Sequence, residues 1–336
     1  MSAGRSSERP DAARLPPAFE GYADEPLAQA PAGGPGKNGL LEATFAREGD
    51  GPTRMVRDRV KVPYHLTGTL ETDPAPGLAT LVAQEPTGGV AQGDRHRMAV
   101  DAQAGARAHV TTQSATKVHS MDANYAHLDA SLRVEAGGHL EYVPGPTIVN
   151  EDARCLQTVS VDLAPDSVVV VADVLVPDGL TDHESFGFDH YHARVEAAYD
   201  GRLVCADAVD LRPDERDPRD PASVGEYGVV GSLYVFAPGS GEDDGDGRRR
   251  SHDGDEEAAD DSSRNPDLEG LVEAVHDRLA DRAGVRVGVS RLPDDAGAIV
   301  RLLGHRQTDV TEALRGAWDE TRRATLGVGA PADRRY

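Results

Sequence analysis

The sequence predicts a mainly β fold: a single domain of stacked, β-helix-like or β-sandwich-like units, closed by two C-terminal α-helices. Three observations carry this. Apolar residues alternate with period two over most of the stretch from Leu40 to Phe236. Short turns at Ala104-Gly105, Ala136-Gly137-Gly138 and Ala164-Pro165-Asp166 recur at a spacing of roughly 30 residues. Only beyond Pro266 does the apolar spacing change to the helical 3, 4, 7 pattern.

Residues 1–38 are rich in Pro, Gly, Ala and charge and read as a disordered arm. The arm lacks the apolar segment of a secretory signal. Leu40-Leu41-Glu42-Ala43-Thr44-Phe45 is the first alternating strand. Further alternation follows at Val60, Val62, Tyr64 and Leu66, at Met98, Val100 and Ala102, and at Ala106, Ala108 and Val110. It continues at Leu132, Val134 and Ala136, at Leu140 and Tyr142, at Val159, Val161 and Leu163, and through the apolar run Val168–Val171. The even spacing suggests solenoid rungs, and repeated hairpins of a sandwich would give a similar pattern. Val229–Phe236 is a further strand. Residues 238–266 hold ten acids between Glu242 and Asp261 around Arg248-Arg249-Arg250, with no apolar periodicity, and read as a disordered acidic insertion. Leu268, Leu271, Val272, Val275 and Leu279 share one helical face, with Pro266-Asp267 before it and Gly284 after it. Strands at Val285–Val289 and Ala298–Leu303 precede a second helix, opened by a capping-box spacing at Asp309–Glu312 and ended by Gly327. The domain therefore spans 40–330.

The chain has 336 residues, 38% of them hydrophobic and 4% aromatic, and a net charge of −23. Its lysines are Lys37, Lys61 and Lys117. Acid spread along the whole chain reads as the solubility device of a halophile, and it repels phosphate backbones, so no nucleic-acid partner is expected. No apolar run of about 18 residues is present, so no membrane span is expected and the cytoplasm is the expected compartment. Cys155 and Cys205 form neither a disulfide framework nor a thiolate zinc site.

The motifs of common catalysts are missing. There is no Gly-x-Ser-x-Gly and no Gly-x4-Gly-Lys-Ser/Thr, and Gly88-Gly89 leads into a Gly93-Asp94 turn rather than a helix. The best local constellation is His183-Glu184-Ser185-Phe186-Gly187-Phe188-Asp189-His190-Tyr191-His192. On a strand, His190 and His192 point to one face and could hold Zn²⁺ or Ni²⁺, with His183 or an acid such as Glu184 completing the set. The alternative is that they are ordinary exposed or hydrogen-bonded histidines. His109, His119 and His127 form a second set without ligand spacing. Asp94 either caps a turn or faces an internal passage.

Two segments stand apart: Gly88-Gly89-Val90-Ala91-Gln92-Gly93-Asp94, and Thr111-Thr112-Gln113-Ser114-Ala115-Thr116-Lys117-Val118. Together they resemble the urease accessory protein family UreD, also called UreH. Phe45-Ala46-Arg47 with Gly51-Pro52-Thr53-Arg54 is similar to the family's opening strand pair. Leu140-Glu141-Tyr142-Val143-Pro144-Gly145-Pro146-Thr147-Ile148 is similar to its Leu-Glu-Trp/Tyr-x-Pro-x-Pro-x-Ile segment. Val300-Arg301-Leu302-Leu303-Gly304, followed by a helix bearing Trp318 and Arg322, extends the likeness to about residues 40–325. The motif residues are Gly88, Gly89, Gly93, Asp94, Thr111, Thr112, Gln113, Thr116 and Lys117. The resemblance implies a β stack with two helices and a non-enzymatic maturation factor. It implies binding to apo-urease and UreF, and through UreF to the GTPase UreG. It also implies assistance to nickel insertion, through an internal water-filled passage, with nickel transient and no tightly bound cofactor. With the acidity it implies a halophilic archaeal member. The arm and the insertion are extra to the family pattern. The family's Gly-Arg-x3-Gly-Glu element is reduced to Gly179 and Glu184, and the aromatic after Thr-Lys-Val is His119. Two rival classes are a His-cluster metalloenzyme, which predicts stoichiometric metal and turnover, and a β-rich interaction module, which predicts an export signal.

At −23 the compact state repels itself when counterions are scarce. The protein is expected to unfold or aggregate below roughly molar KCl. Thermal melts over a salt series check this, and a salt-independent Tm would assign the acidity to something other than a saline cytoplasm.

Overall fold

A computed structural model describes residues 15–27, 36–177, 185–238 and 266–332. In chain order its elements are α1 Pro17–Ala23, β1 Asn38–Ala46, β2 Arg54–Lys61, β3 Thr69–Leu70, β4 Ala79–Ala83, β5 Arg95–Ala102, β6 Arg107–Thr112, β7 Thr116–Val118, β8 Ala126–Val134, β9 His139–Tyr142, β10 Thr147–Val149, β11 Arg154–Leu163, β12 Val168–Pro177, β13 His190–Tyr199, β14 Arg202–Leu211, β15 Val229–Phe236, α2 Leu268–Leu279, β16 Val285–Arg291, β17 Gly297–Gly304 and α3 Gln307–Leu326.

The strands form two sheets, ordered β14-β13-β11-β8-β5-β1-β2 and β16-β17-β15-β12-β9-β6-β4-β3. From β4 to β13 the chain passes back and forth between them. Strands β1, β5, β8, β11 and β13 pair in parallel in the first sheet, and β4, β6, β9 and β12 in the second. This is a solenoid, so the roughly 30-residue spacing reports rungs rather than hairpins. The turns stack as well: Gly105 N donates to Ala136 O, and Gly137 N to Pro165 O. Antiparallel strands finish the sheets: β2 beside β1, β14 beside β13, β15 beside β12 and β3 beside β4. The sheets end on the antiparallel strands β2, β14, β3 and, beyond β15 and β17, β16, which limits the open edges that a parallel stack leaves.

The core lies between the sheets and is built of Leu41, Phe45, Leu81, Val100, Leu132, Leu140, Val161, Val169 and Phe236 with alanines between them. A second apolar layer joins α2 and α3 to the outer face of the second sheet through Leu271, Val275, Val310, Leu314 and Trp318 against Leu233 and Leu302. Asp267 caps α2 by accepting from the N–H groups of Glu269 and Gly270, and Gly327 ends α3 in the left-handed region at φ 72°. No helix among the described residues is long and apolar enough to cross a membrane.

Three expectations need correction. Helix α3 begins at Gln307 with Arg306 as its N-cap, so Asp309 is its third residue and pairs back to Arg306 at 2.8 Å instead of opening a capping box. The alternation at Val60–Leu66 does not continue as a strand: β2 ends at Lys61 and Val62 is 73% exposed. Pro63, with no N–H to donate, follows at once. Residues 1–38 are not wholly an unstructured arm. Phe19 of α1 is fully buried against Tyr125 and Leu156 on the outer face of the first sheet. Residues 1–14 and 28–35, and 239–265 of the expected acidic insertion, lie outside the described residues.

Arg322 ties α3 to the sheet beneath it. Its side chain is fully buried. It binds both oxygens of Asp73, and its Nη1 lies 3.0 Å from Glu141 Oε2. The other oxygen of Glu141 is 3.2 Å from His139 Nε2. Arg322→Leu leaves two buried carboxylates without their cation. It is expected to cost about 3–5 kcal/mol, read as a lower denaturant midpoint in high salt; an unchanged midpoint would refute this role.

Burial also sets the histidines. It pushes His96 and His127 down from 6.5 to about 4, and pushes His109 down as well. The unfolded chain takes up protons as pH falls through 6.5, while the native histidines stay neutral until about 4. Stability present above that window is therefore lost as pH falls through it. Denaturant midpoints from pH 7 to 4 should decline, and His96→Gln should flatten the slope; a flat wild-type profile contradicts the assignment.

Candidate functional site

The site arises from two breaks in the second sheet. Strand β12 runs unbroken, pairing with β9 along Val168–Val171 and with β10 along Leu175–Pro177. The two rungs beside it are interrupted. β6 and β7 are separated by Gln113-Ser114-Ala115, and β9 and β10 by Val143-Pro144-Gly145-Pro146. Two prolines and a glycine explain the second break. The breaks lock together: Thr112 Oγ1 accepts from Gly145 N at 2.8 Å, Thr111 Oγ1 donates to Val143 O at 2.7 Å, and Thr116 N donates to Pro146 O. A Cβ on Gly145 would lie 2.8 Å from Ser114 O.

Where the sheet bows out, a cavity of about 380 Å³ opens between the two sheets. Thr112–Lys117, Pro144, Gly145 and Thr147 line one side, and Met98, Leu128, Ala130, Gln157 and Val159 the other. Glu85, Gly88 and Gly89 also line it, with Tyr64, Ala83, Asp129, Tyr142 and Thr158. The glycine loop meets the threonine segment because Val90 N donates to Lys117 O at 2.7 Å and His119 N to Val90 O at 2.9 Å. Gly89 has φ +124°, and a Cβ there would stand 2.3 Å from Lys117 O, so the close approach requires glycine.

Asp94 does not line this cavity. Its buried carboxylate accepts from Lys37 N at 2.6 Å and Ala91 N at 2.8 Å, and lies 3.0 Å from Lys37 Nζ. It caps its turn. Gly93, at φ +77°, supplies the bend before it. Gln113 is joined through its backbone to Ala83 O, and Lys117 is exposed at the cavity lining.

Polar groups continue inward. Gln157 and Val159 also line a smaller space with Asp173, Ser232, Tyr234 and Arg301. Thr147 Oγ1 donates to Gln157 Oε1 at 3.3 Å, Gln157 Nε2 to Asp173 Oδ1 at 2.8 Å, and Tyr191 Oη to Asp173 Oδ2 at 3.3 Å. Burial pushes the Asp173 carboxyl above the usual range, against the hydrogen bonds from Gln157 and Tyr191, and burial likewise raises Glu85.

The histidines separate by sheet. His190 and His192 do share a face of β13, the outer one, and are buried beneath α1. Asp210 of β14 joins them, 2.7 Å from His190 Nε2. Sequence reading missed Asp210 because only the β13–β14 register brings it there. His183 and Glu184 lie outside the described residues. His109 packs on Trp318 at 5.0 Å, His119 reaches Gly88 O at 3.0 Å, and His127 reaches Thr158 Oγ1 at 2.9 Å, so these three serve separate places.

The sequence matches a known family along most of its length. The family model described as UreD urease accessory protein covers residues 37–335. The urease accessory protein UreD of Natronomonas pharaonis is 62% identical over 322 residues, 96% of this chain and 99% of that protein. That of Haloquadratum walsbyi is 51% identical, over 94% and 95% of the two chains. That of Photorhabdus laumondii is 28% identical, over 94% and 91%. The segments that build the cavity lie inside the matched region, and halophilic archaea supply the first two of these relatives; the chain belongs to the UreD family of urease accessory proteins.

Proposed function

We propose that this chain is a non-catalytic maturation factor that binds apo-urease and UreF, and through UreF the GTPase UreG, and assists insertion of Ni²⁺ into the urease active site. The observation that carries the reading is the cavity: the two segments that resemble the family motif build its wall, where a rigid sheet would otherwise be closed. Its lining includes hydroxyl, amide and carboxylate oxygens of Thr112, Thr147, Gln157 and Glu85. Such hard donors hold Ni²⁺ more loosely than imidazole or thiolate does. Loose holding suits a cargo in transit, and the protein needs no tightly bound cofactor of its own. The reading places the work in the cytoplasm, with protein partners and no nucleic acid or membrane.

Deleting the gene in its host is expected to abolish urease activity while urease polypeptides stay at their normal level. Complementation with Ala115→Trp, which adds bulk to the cavity wall, should restore the folded protein without restoring activity. Unchanged urease activity in the deletion strain would sink the role; full activity with Ala115→Trp would sink the passage.

A further inference from the structure

The outer face of the first sheet carries a cluster remote from the cavity lining. β14 runs antiparallel to β13, so Asp210 lies opposite His192, and Arg212 directly follows Leu211, the last residue of β14. The shared Asp210 Oδ1 is 2.7 Å from His190 Nε2 and 3.7 Å from His192 Nδ1. One ligand atom from each of the three residues lies within 4.8 Å of the others. Ligands on a tetrahedral ion with bonds of 2.0–2.1 Å stand about 3.3 Å apart, so a small contraction of side chains closes the set.

Unspent donors mark the place. Nδ1 of His190 and both ring nitrogens of His192 are buried with no hydrogen-bond partner. The His190 side chain is fully buried. Orphaned buried nitrogens need a physical reason, and a bound ion is one. A cover is already built. Phe19 of α1 lies over both imidazoles, with ring centroids 4.5 Å from His190 and 6.1 Å from His192. The segment after the helix is fastened by Glu25, which accepts from Arg154 Nη1 and from Asn124 N, each at 2.7 Å. Arg154 also binds Asp189, the residue before His190.

A cation is in residence too. Arg212 Nη2 donates to Asp210 Oδ2 at 3.1 Å, and its Nε lies 3.3 Å from His190 Nε2. The same guanidinium reaches Glu215 at 3.2 Å, so it has a second carboxylate to retire to.

We propose that His190, His192 and Asp210 form a binding site for one divalent transition-metal ion of the class that accepts imidazole and carboxylate together, Ni²⁺ or Zn²⁺. Helix α1 covers the site, and Arg212 is the cation that the metal displaces toward Glu215. The proposal concerns metal held by the isolated chain and does not rest on the role in urease maturation.

The test uses the full-length protein, stripped of metal, in KCl concentrated enough to screen its acidic surface. Ni²⁺ binding is measured by equilibrium dialysis, and Co²⁺ serves as the absorbance probe of imidazole ligation. One equivalent is expected to bind. His192→Gln and Asp210→Asn should each lose it, with far-UV circular dichroism unchanged. Arg212→Ala, which removes a competing charge and no proposed ligand, should tighten binding by at least about tenfold. This opposite-signed arm stands even if a ligand variant fails to fold. No bound equivalent in the wild type, binding undiminished in folded His192→Gln and Asp210→Asn, or no gain in Arg212→Ala would each overturn the proposal.

Discussion

Met98, Ala130, Val159 and Val195 lie side by side across the first sheet, and Ala79, Ala108, Leu140 and Val169 across the second. Parallel pairing in register forces this: strands sit about 4.8 Å apart, so each inward side chain is confined by the one before and the one after it. Register also couples irregularities. A rung that bulges cannot sit against a straight neighbour without losing backbone hydrogen bonds, so the break at Gln113–Ala115 is matched by that at Val143–Pro146. The cavity is the shared consequence of the two breaks. Its wall is held by Thr111, Thr112 and Gly145 because those groups replace the missing ladder bonds.

The outward rows obey the same register with different chemistry. His109 pairs with Glu141 across β6 and β9, and both face α3. A polar row beneath a helix is tolerable only if the helix answers it. Arg322 and Trp318, one turn apart, do so: the guanidinium takes the carboxylates of Asp73 and Glu141, and the indole covers His109. Burial alone would push Glu141 upward, but the hydrogen bond from His139 and the positive charge around it hold the carboxyl below its ordinary range. The helix is thus placed by charge as well as by its apolar stripe, which fixes its rotation as well as its attachment.

Much of the fold was legible because each rung signals locally. Period-two alternation marks Met98–Ala102 and Val159–Leu163 without reference to anything distant, and stacked turns betray the repeat. The glycines and threonines of the cavity wall were legible as motifs, though not as a wall. What was not legible depends on pairing at a distance. Asp73 and Arg322 are 249 positions apart, and nothing near either one announces the other. Asp210 needs the β13–β14 register before it meets His190. Helix α1 has seven residues, and its proline and glycine blend into the composition of the arm; its buried Phe19 was the one available sign. At Asp309 the local spacing suggested a cap, but the helix had begun two residues earlier.

Burial sorts the acids that composition lumps together. Asp94 is committed to two backbone N–H groups and Lys37, and Asp173 to Gln157 and Tyr191. Asp173 and Glu85 are both pushed upward by burial, which lowers their hold on a cation. The interior therefore presents oxygens that are bonded to one another or whose charge burial disfavours, a poor resting place for a metal ion. The outer face of the first sheet is the reverse. Asp210 is held low against the cost of burial by His190 and Arg212, and three imidazole nitrogens beside it have no partner. The interior between the sheets and the outer face of the first sheet thus differ in donor softness and in how many donors are free. A metal ion crossing the cavity would meet little to detain it, whereas one reaching β13 and β14 would meet neutral nitrogens, a charged carboxylate and a cover. Residence time would be set by which face of the sheet the ion meets, and the alternation of side chains along β13 decides which residues each face displays.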